Sequence, residues 1–319
     1  MELGKQAALA LDRVRRRGRE VPVVIAVDLE PDKRTFPPDE PRPWSGFEGM
    51  VEKVGPLRER LAQITGEPVV FSWFLRMDPQ VKRTWGSFTW AAEKYEKELA
   101  VFQEAGDEMG LHTHTWRIDE ERGEWVADFG DLAWAEHCLE VGFAAFEEAF
   151  GRPPKHHRFG DHFLTGPLLT RVAAKGIAAD FTLEPGWPET GPTGPWIHER
   201  WNGTLPDLRP VPTRPYRSSE ARFPREDKDD PLPTLLVPLY SPPGLRRRQR
   251  LPLPPDSRHF TSRLAFELTT RTPSMMALTL RSDAALDRWE PTVANLEHLA
   301  QHEGMRFVTP SDAVASLAA

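Results

Sequence analysis

His112 and His114 stand two residues apart in "EMGLHTHTW" (108–116), and Asp28 and Glu30 repeat that spacing in "AVDLEPD" (26–32). Residues i and i+2 of a strand share a face, so each pair presents both side chains to one side. Imidazoles with a carboxylate make a ligand set that suits zinc or another divalent transition metal. Such an ion polarises a carbonyl and acidifies a water, and a spare carboxylate then serves as base. The same residue types have plainer uses. A histidine pair beside Trp116 and Arg117 can be a hydrogen-bonded structural cluster, and Asp28 can cap the turn that follows it.

The elements that must position these residues are legible as alternating apolar runs and helical stretches. "VPVVIAVDLE" (21–30), "EPVVFSWFL" (67–75), "DEMGLHTHTW" (107–116), "IAADFTL" (177–183) and "MMALTLRSD" (275–283) predict strands, with "PKHHRFGDHF" (154–163) a short strand or loop. Between them, 48–66, 87–106, 132–151, 165–176 and 289–304 predict helices, two of them stopped by Gly66 and Gly151. The strands are continuously apolar rather than alternating, as expected of parallel strands covered by helices. Six or seven such units without an internal repeat favour a closed or partly closed barrel over an open sheet. The stretch 185–256 is rich in proline and charge. It reads as an insertion or long loops around one or two strands, packed on a single domain spanning 1–319.

Ligands of parallel α/β folds meet the carboxyl ends of the strands. Those ends hold Asp28 and Glu30, Arg76 and Asp78, His112 and His114, Arg158 and Asp161, Asp180, and finally Arg281 and Asp283. Acids, histidines and arginines at every exit indicate an active-site rim. His156, His157 and His162 are read as lying outside the ligand set, since adjacent strand residues face opposite ways. There is no glycine-rich phosphate loop and no GxSxG elbow.

Composition narrows the function classes. A net charge of −7 over 319 residues argues against a nucleic-acid binder. The basic run "GLRRRQR" (244–250) reads as a solvated loop. The single cysteine, Cys138, excludes disulfides within the chain and cysteine-rich zinc sites. The N-terminal stretch lacks the features of a secretory signal, and no apolar run is long enough to cross a bilayer. The expectation is a cytoplasmic protein with no membrane or nucleic-acid partner. Eleven tryptophans against three tyrosines are compatible with a saccharide cleft but are equally core residues.

The order of these pieces resembles the polysaccharide deacetylase (NodB-homology) superfamily of metal-dependent carbohydrate esterases, over about residues 21–315. The resemblance implies an irregular (β/α)7 barrel of parallel strands with outer helices. "AVDLEPD" is similar to a variant of the family's first motif, which implies Asp28 as catalytic base and Glu30 as metal ligand, with Asp32 an outside candidate. "GDEMGLHTHTW" is similar to the second motif. His112 matches its first histidine, but Trp116 occupies the place of the second, four residues on, so His114 must supply that ligand if one exists. "HHRFGDHF" resembles the third motif and implies that Arg158 orients the base. "GIAADFTLEPG" resembles the fourth, placing Asp180 near the active-site wall. In "ALTLRSD" Arg281 stands where the family carries a histidine general acid. An arginine stays protonated and cannot play that part, although it can stabilise an oxyanion.

The expected function is metal-dependent hydrolysis of amide-type C–N bonds, by a water that the metal activates and an Asp base. N-deacetylation of a sugar or related small molecule is its most natural form, with zinc as cofactor and a small-molecule or saccharide substrate as partner. Arg76, Asp78, Trp116 and Asp283 are the expected substrate-binding residues, and Asp28, Arg158, Asp180 and Arg281 the catalytic ones. The alternatives are a non-catalytic saccharide-binding pseudoenzyme and an allantoinase-like cyclic amide hydrolase.

Overall fold

The structure, a computed structural model, describes residues 20–32, 40, 42–191, 201–242, 253–270, 273–282 and 284–318. The basic run at 244–250 and Asp283 lie outside them. In chain order the strands are β1 (Val21–Leu29), β2 (Ser72–Arg76), β3 (Glu108–Thr113), β4 (Trp116–Asp119), β5 (Glu124–Asp128), β6 (His156–Phe159), β7 (Ala179–Asp180), β8 (Trp201–Asn202), β9 (Leu235–Leu236), β10 (Met276–Arg281) and β11 (Met305–Phe307). The helices are α1 (Ser45–Thr65), α2 (Pro79–Trp85), α3 (Trp90–Lys94), α4 (Glu96–Glu104), α5 (Leu132–Phe150), α6 (Gly166–Ala174), α7 (Phe260–Thr270), α8 (Ala284–Ala300) and α9 (Pro310–Ala318).

The strands run parallel in the order β10-β1-β2-β3-β6-β7-β9, with β11 paired to the start of β1. Just past β9, the backbone N–H of Tyr240 donates to Ala277 O of β10 at 2.8 Å, bridging the two ends of the order. The continuously apolar strands meet the expectation of a parallel barrel with outer helices. β1 is buried along almost its whole length because both faces are covered. One core, including Val23, Ile25, Val27, Trp73 and Leu111, fills the space between sheet and helices. A second, including Val24, Ala26, Phe74, Phe181, Leu235 and Ala277, fills the barrel interior, and Ala313 of α9 joins it. Burial of this order stabilises by about 25 cal/mol per Å² of apolar surface.

Two elements differ from the expectation. The helix expected over 87–106 is broken at Tyr95 into α3 and α4. The Tyr95 ring is buried against Trp44 and Phe47, and its hydroxyl donates to Glu48 Oε1 at 3.0 Å. The strand expected to run through 116 ends at Thr113, and Trp116 opens an antiparallel hairpin of β4 and β5 on which β8 adds a parallel strand. The stretch 185–256 supplies β8 outside the barrel and β9 within it. Cys138 is buried on α5, where burial pushes its thiol up out of the reactive range. Among the described residues no helix is long and apolar enough to cross a membrane.

Glu108, at the start of β3, ties α9 to this end of the barrel. Its carboxylate accepts from Ser311 N at 3.0 Å and Ser311 Oγ at 2.7 Å, and lies 3.2 Å from His156 Nε2. Burial pushes the Glu108 pKa up, but His156 and Ser311 outweigh it and hold it at about 2, against an ordinary 4.5. The folded value is depressed, so this group's stabilisation is full above the unfolded value and is lost as pH falls toward about 2. Glu108→Gln is expected to cost on the order of 2–3 kcal/mol at neutral pH. The gap in melting temperature between variant and wild type should then close as pH falls below the ordinary carboxylate range. A gap that stays constant with pH would refute this account of the contact.

Candidate active site

Strand register brings the strand-end residues together. Asp28 pairs in register with Arg281 of β10, and His112 with Arg158 of β6. Alternation turns Asp28, His112, Arg158 and Arg281 into the barrel mouth. They line a cavity of about 740 Å³ with Glu30, His114, Asp161, His162 and Glu184.

Asp28 accepts from Arg158 Nε through both oxygens, at 2.9 and 3.2 Å. Arg158 also donates to Phe181 O at 2.7 Å and lies 3.8 Å from Glu184. Burial pushes the Asp28 carboxyl up more than Arg158 pulls it down, with Glu30 adding to the rise. A carboxylate oriented by a guanidinium yet raised in pKa has the character of a general base.

Glu30, His112 and His114 each offer one donor atom, and these atoms lie within 4.8 Å of one another. Glu30 is held at its backbone by Ser282, whose Oγ accepts from Glu30 N at 3.2 Å and donates to Glu30 O at 3.0 Å. His112 Nδ1 lies 3.0 Å from Arg158 O, and a carbonyl only accepts, so that nitrogen carries the hydrogen and Nε2 keeps its lone pair. His112 Nε2 faces His114 Nε2 at 3.0 Å. Burial, then the neighbouring His114, holds His112 well below its ordinary value. Burial and Arg76 press His114 down too, but Asp161 and Glu30 outweigh them and its pKa stands above the ordinary value. The two Nε2 atoms therefore converge on one point, where a cation can take both as ligands. Two imidazole nitrogens and a carboxylate, each backed by an outer partner, fit a zinc-type divalent ion.

Trp116, the departure from the family motif, is fully buried behind this group. Its indole Nε1–H points to His114 Nδ1 at 2.9 Å, and Asp161 Oδ2 lies equally close to the same nitrogen. Trp116 thus touches the ring of His114 and is absent from the cavity wall, against the expectation that it binds substrate. Arg76 and Asp78 are likewise withdrawn. Arg76 Nε donates to Asp78 Oδ2 at 2.7 Å, and Asp78 caps α2 and accepts from His114 N at 3.3 Å. Both are fully buried: Arg76 donates to Asp78 and to the Gln80 side chain, and Asp78 also accepts from the backbone. Asp180 also misses the cavity. Phe181 packs with the barrel interior, so its neighbour Asp180 faces the helices, where it binds His157 Nδ1 at 2.8 Å. Asp32 does line the cavity, while its carboxylate accepts from Gly46 N at 2.8 Å and from Ser45 Oγ at the start of α1. Arg281 is at the mouth, with Nε 2.9 Å from Glu30 Oε1, so its first partner is the candidate ligand.

Compared with solved structures, the chain aligns over 93% of its length with 90% of a protein assigned as a polysaccharide deacetylase from Mycobacterium smegmatis, at 14% identity and a TM-score of 0.52. It aligns equally over 93% with 89% of Puue allantoinase, at 14% identity and a TM-score of 0.52. A third alignment covers 94% of this chain and 71% of a protein assigned as a glycoside hydrolase/deacetylase from Parabacteroides distasonis, at 13% identity and a TM-score of 0.51. The chain has the polysaccharide deacetylase fold. No family model matches the sequence, and no curated protein does. At these identities the likeness concerns the fold, so what the site does must be argued from its own residues.

Glu184 of this deacetylase-fold cavity and Ser282 behind Glu30 carry no signal in the sequence, while Asp161 is legible there only as a strand-end residue and His162 only as a histidine outside the ligand set. Ser282 follows Arg281 directly, and hydroxyls that clamp a neighbouring strand leave no pattern. Asp161 and His162 follow Arg158 in "RFGDHF", where both adopt left-handed backbone with φ of 55° and 57°. Glu184 lies four residues past Asp180 in the same segment. Its carboxyl is raised by burial, but His162 and Arg158 bring it below its ordinary value.

Proposed function

We propose that this protein is a metal-dependent hydrolase of amide-type C–N bonds, acting as a deacetylase on an N-acyl sugar or related small molecule. The observation that carries the reading is one cavity holding both a base held by a guanidinium, Asp28 with Arg158, and the converging Glu30, His112 and His114. A divalent cation, most simply zinc, would be held by those three residues and would supply polarisation of the acyl oxygen and a more acidic water. Asp28 takes the proton of the attacking water. Arg158 holds Asp28 in register and favours its ionised form before that transfer. Asp161 and Trp116 hold the His114 ring, and Arg158 O holds that of His112. Trp187, Tyr240 and Trp289 give the cavity the flat apolar faces that suit a sugar ring.

Polysaccharide deacetylases and an allantoinase among the similar structures support hydrolysis at an amide-type bond, with a cyclic amide as the second substrate class. A cytoplasmic setting, and with it a soluble rather than polymeric substrate, belongs to the same proposal. Protein purified without chelator is expected to carry one equivalent of a divalent metal, and a His112→Ala/His114→Ala double variant none. Wild-type protein without metal at this site would sink the reading. Acetate release from N-acetyl sugars, set against ring opening of cyclic amides, separates the two substrate classes.

A further inference from the structure

Arg281 occupies the place of the family's acid, and its guanidinium does not release a proton near neutrality. An amine cannot depart as its anion, so a proton must reach nitrogen as the C–N bond breaks. The described lining of the cavity holds three histidines, and the rings of His112 and His114 are committed to each other and to their outer partners. His162 is the third. Its Nδ1 lies 2.8 Å from Glu184 Oε1, and its ring stacks on Trp187 at 5.4 Å and 16°. Trp187 Nε1 in turn donates to the other oxygen of Glu184 at 3.2 Å. The His162 side chain is 27% exposed, whereas those of Glu184 and His114 are 10% and 1% exposed. It is the cavity histidine that a substrate can reach.

The backbone supports a positional reason for this residue. Asp161 and His162 are the positive-φ non-glycine residues among those described. Such a conformation costs roughly 1–2 kcal/mol per residue outside glycine. The tight turn after β6 sends the two side chains to different partners, Asp161 to His114 and His162 to Glu184.

We propose that His162 is the general acid of this site and that Glu184 is its positioning residue, an inference that rests on the hydrolase reading above. Asp28 takes one proton from water as the water oxygen bonds to the acyl carbon. The C–N bond then breaks, its electron pair goes to nitrogen, and nitrogen takes the His162 proton. Carboxylic acid and amine leave. The proton on Asp28 passes through solvent to His162, which restores both groups.

The test compares two acetyl donors, an N-acetyl hexosamine and 4-nitrophenyl acetate, whose nitrophenolate departs without a proton. His162→Asn is the variant of choice because asparagine tolerates left-handed backbone. It should lose about 100-fold or more on the amide and stay within about threefold on the ester, while Asp28→Asn loses both. Equal loss on both substrates, or none on the amide, overturns the role of His162 and leaves the hydrolase reading intact. A wild type that hydrolyses neither overturns that reading and this inference with it. A second measurement needs no turnover: the His162 ring titration followed by NMR in metal-free protein. The charged groups facing the ring are Glu184, Arg158 behind it, and Asp161 next in the chain. Removing the facing carboxylate in Glu184→Gln should move the titration to lower pH. An unmoved titration overturns the pairing.

Discussion

Asp28→Asn is expected to lose about 10²–10⁴-fold in turnover while the metal-free protein melts no lower than the wild type. The first half follows from place and partner. Asp28 is buried at the barrel mouth, with both oxygens against Arg158 Nε, and an amide in the same position cannot take a proton from water. The second half follows from the sign of its pKa shift. Burial raises the Asp28 carboxyl more than Arg158 lowers it, so the folded value lies above the unfolded one. Such a group contributes stability that is present below the unfolded value and is lost as pH rises through the folded value. The ionised form of Asp28 is therefore a cost to the metal-free fold, and asparagine does not carry it. Arg158 keeps the amide oxygen of the variant, Phe181 O and Glu184 as partners. The checks are steady-state kinetics of the metal-loaded protein and thermal melts in chelator at neutral pH. A variant that keeps a tenth or more of wild-type turnover removes Asp28 from the role of base. A variant that melts far lower shows the Arg158 pair to be structural first.

Much of this site was legible from two periodicities. The apolar runs gave the parallel strands, and the rule that ligands meet strand ends put Asp28, Glu30, His112 and Arg158 in one place before any contact was known. His114 was legible too, although it lies one residue beyond the end of β3. What failed did so for physical reasons. Asp180 was placed at the wall by its position in a motif, but β7 is two residues long and the ring of Phe181 takes the inward direction. Arg76 and Asp78 looked like rim residues because a polar strand exit usually meets solvent. Here the carboxylate satisfies the start of α2 and the guanidinium satisfies the carboxylate. Trp116 reads as a wall residue because "THTW" continues the strand pattern, yet the chain turns into a hairpin and the indole lies against His114. The half of the site made by His162 and Glu184 depends on two consecutive left-handed residues, neither of them glycine. No residue type announces such a turn, because tertiary contacts impose it.

Gly160→Ala is expected to weaken metal binding about 10–100-fold without altering a ligand, comparable to the loss of an outer partner of a metal site. A Cβ at position 160 would lie 2.1 Å from Cε1, 2.2 Å from Nε2 and 2.4 Å from Nδ1 of His114. Carbon atoms in contact stand about 3.5–4.0 Å apart, so the ring or the turn must move by more than an ångström. The ring has little freedom to do so. Its Nδ1 is held between Asp161 Oδ2 and Trp116 Nε1, its Nε2 faces His112, and its backbone N–H donates to Asp78. Moving the turn instead would carry Asp161 and His162 away from their partners. The backbone of Gly160 is not in the left-handed region, so the loss is steric and owes nothing to conformational strain. Overpacking of this kind also costs about 1–3 kcal/mol of stability. Gly55→Ala is the control: it lies within α1 with nothing inside 4 Å of its added Cβ, and should bind metal as the wild type does. Zinc affinity by competition with a chromophoric chelator, measured for both variants, decides the matter. Wild-type affinity in Gly160→Ala would mean that His114 is not a ligand, and that the metal, if held at all, is held without it.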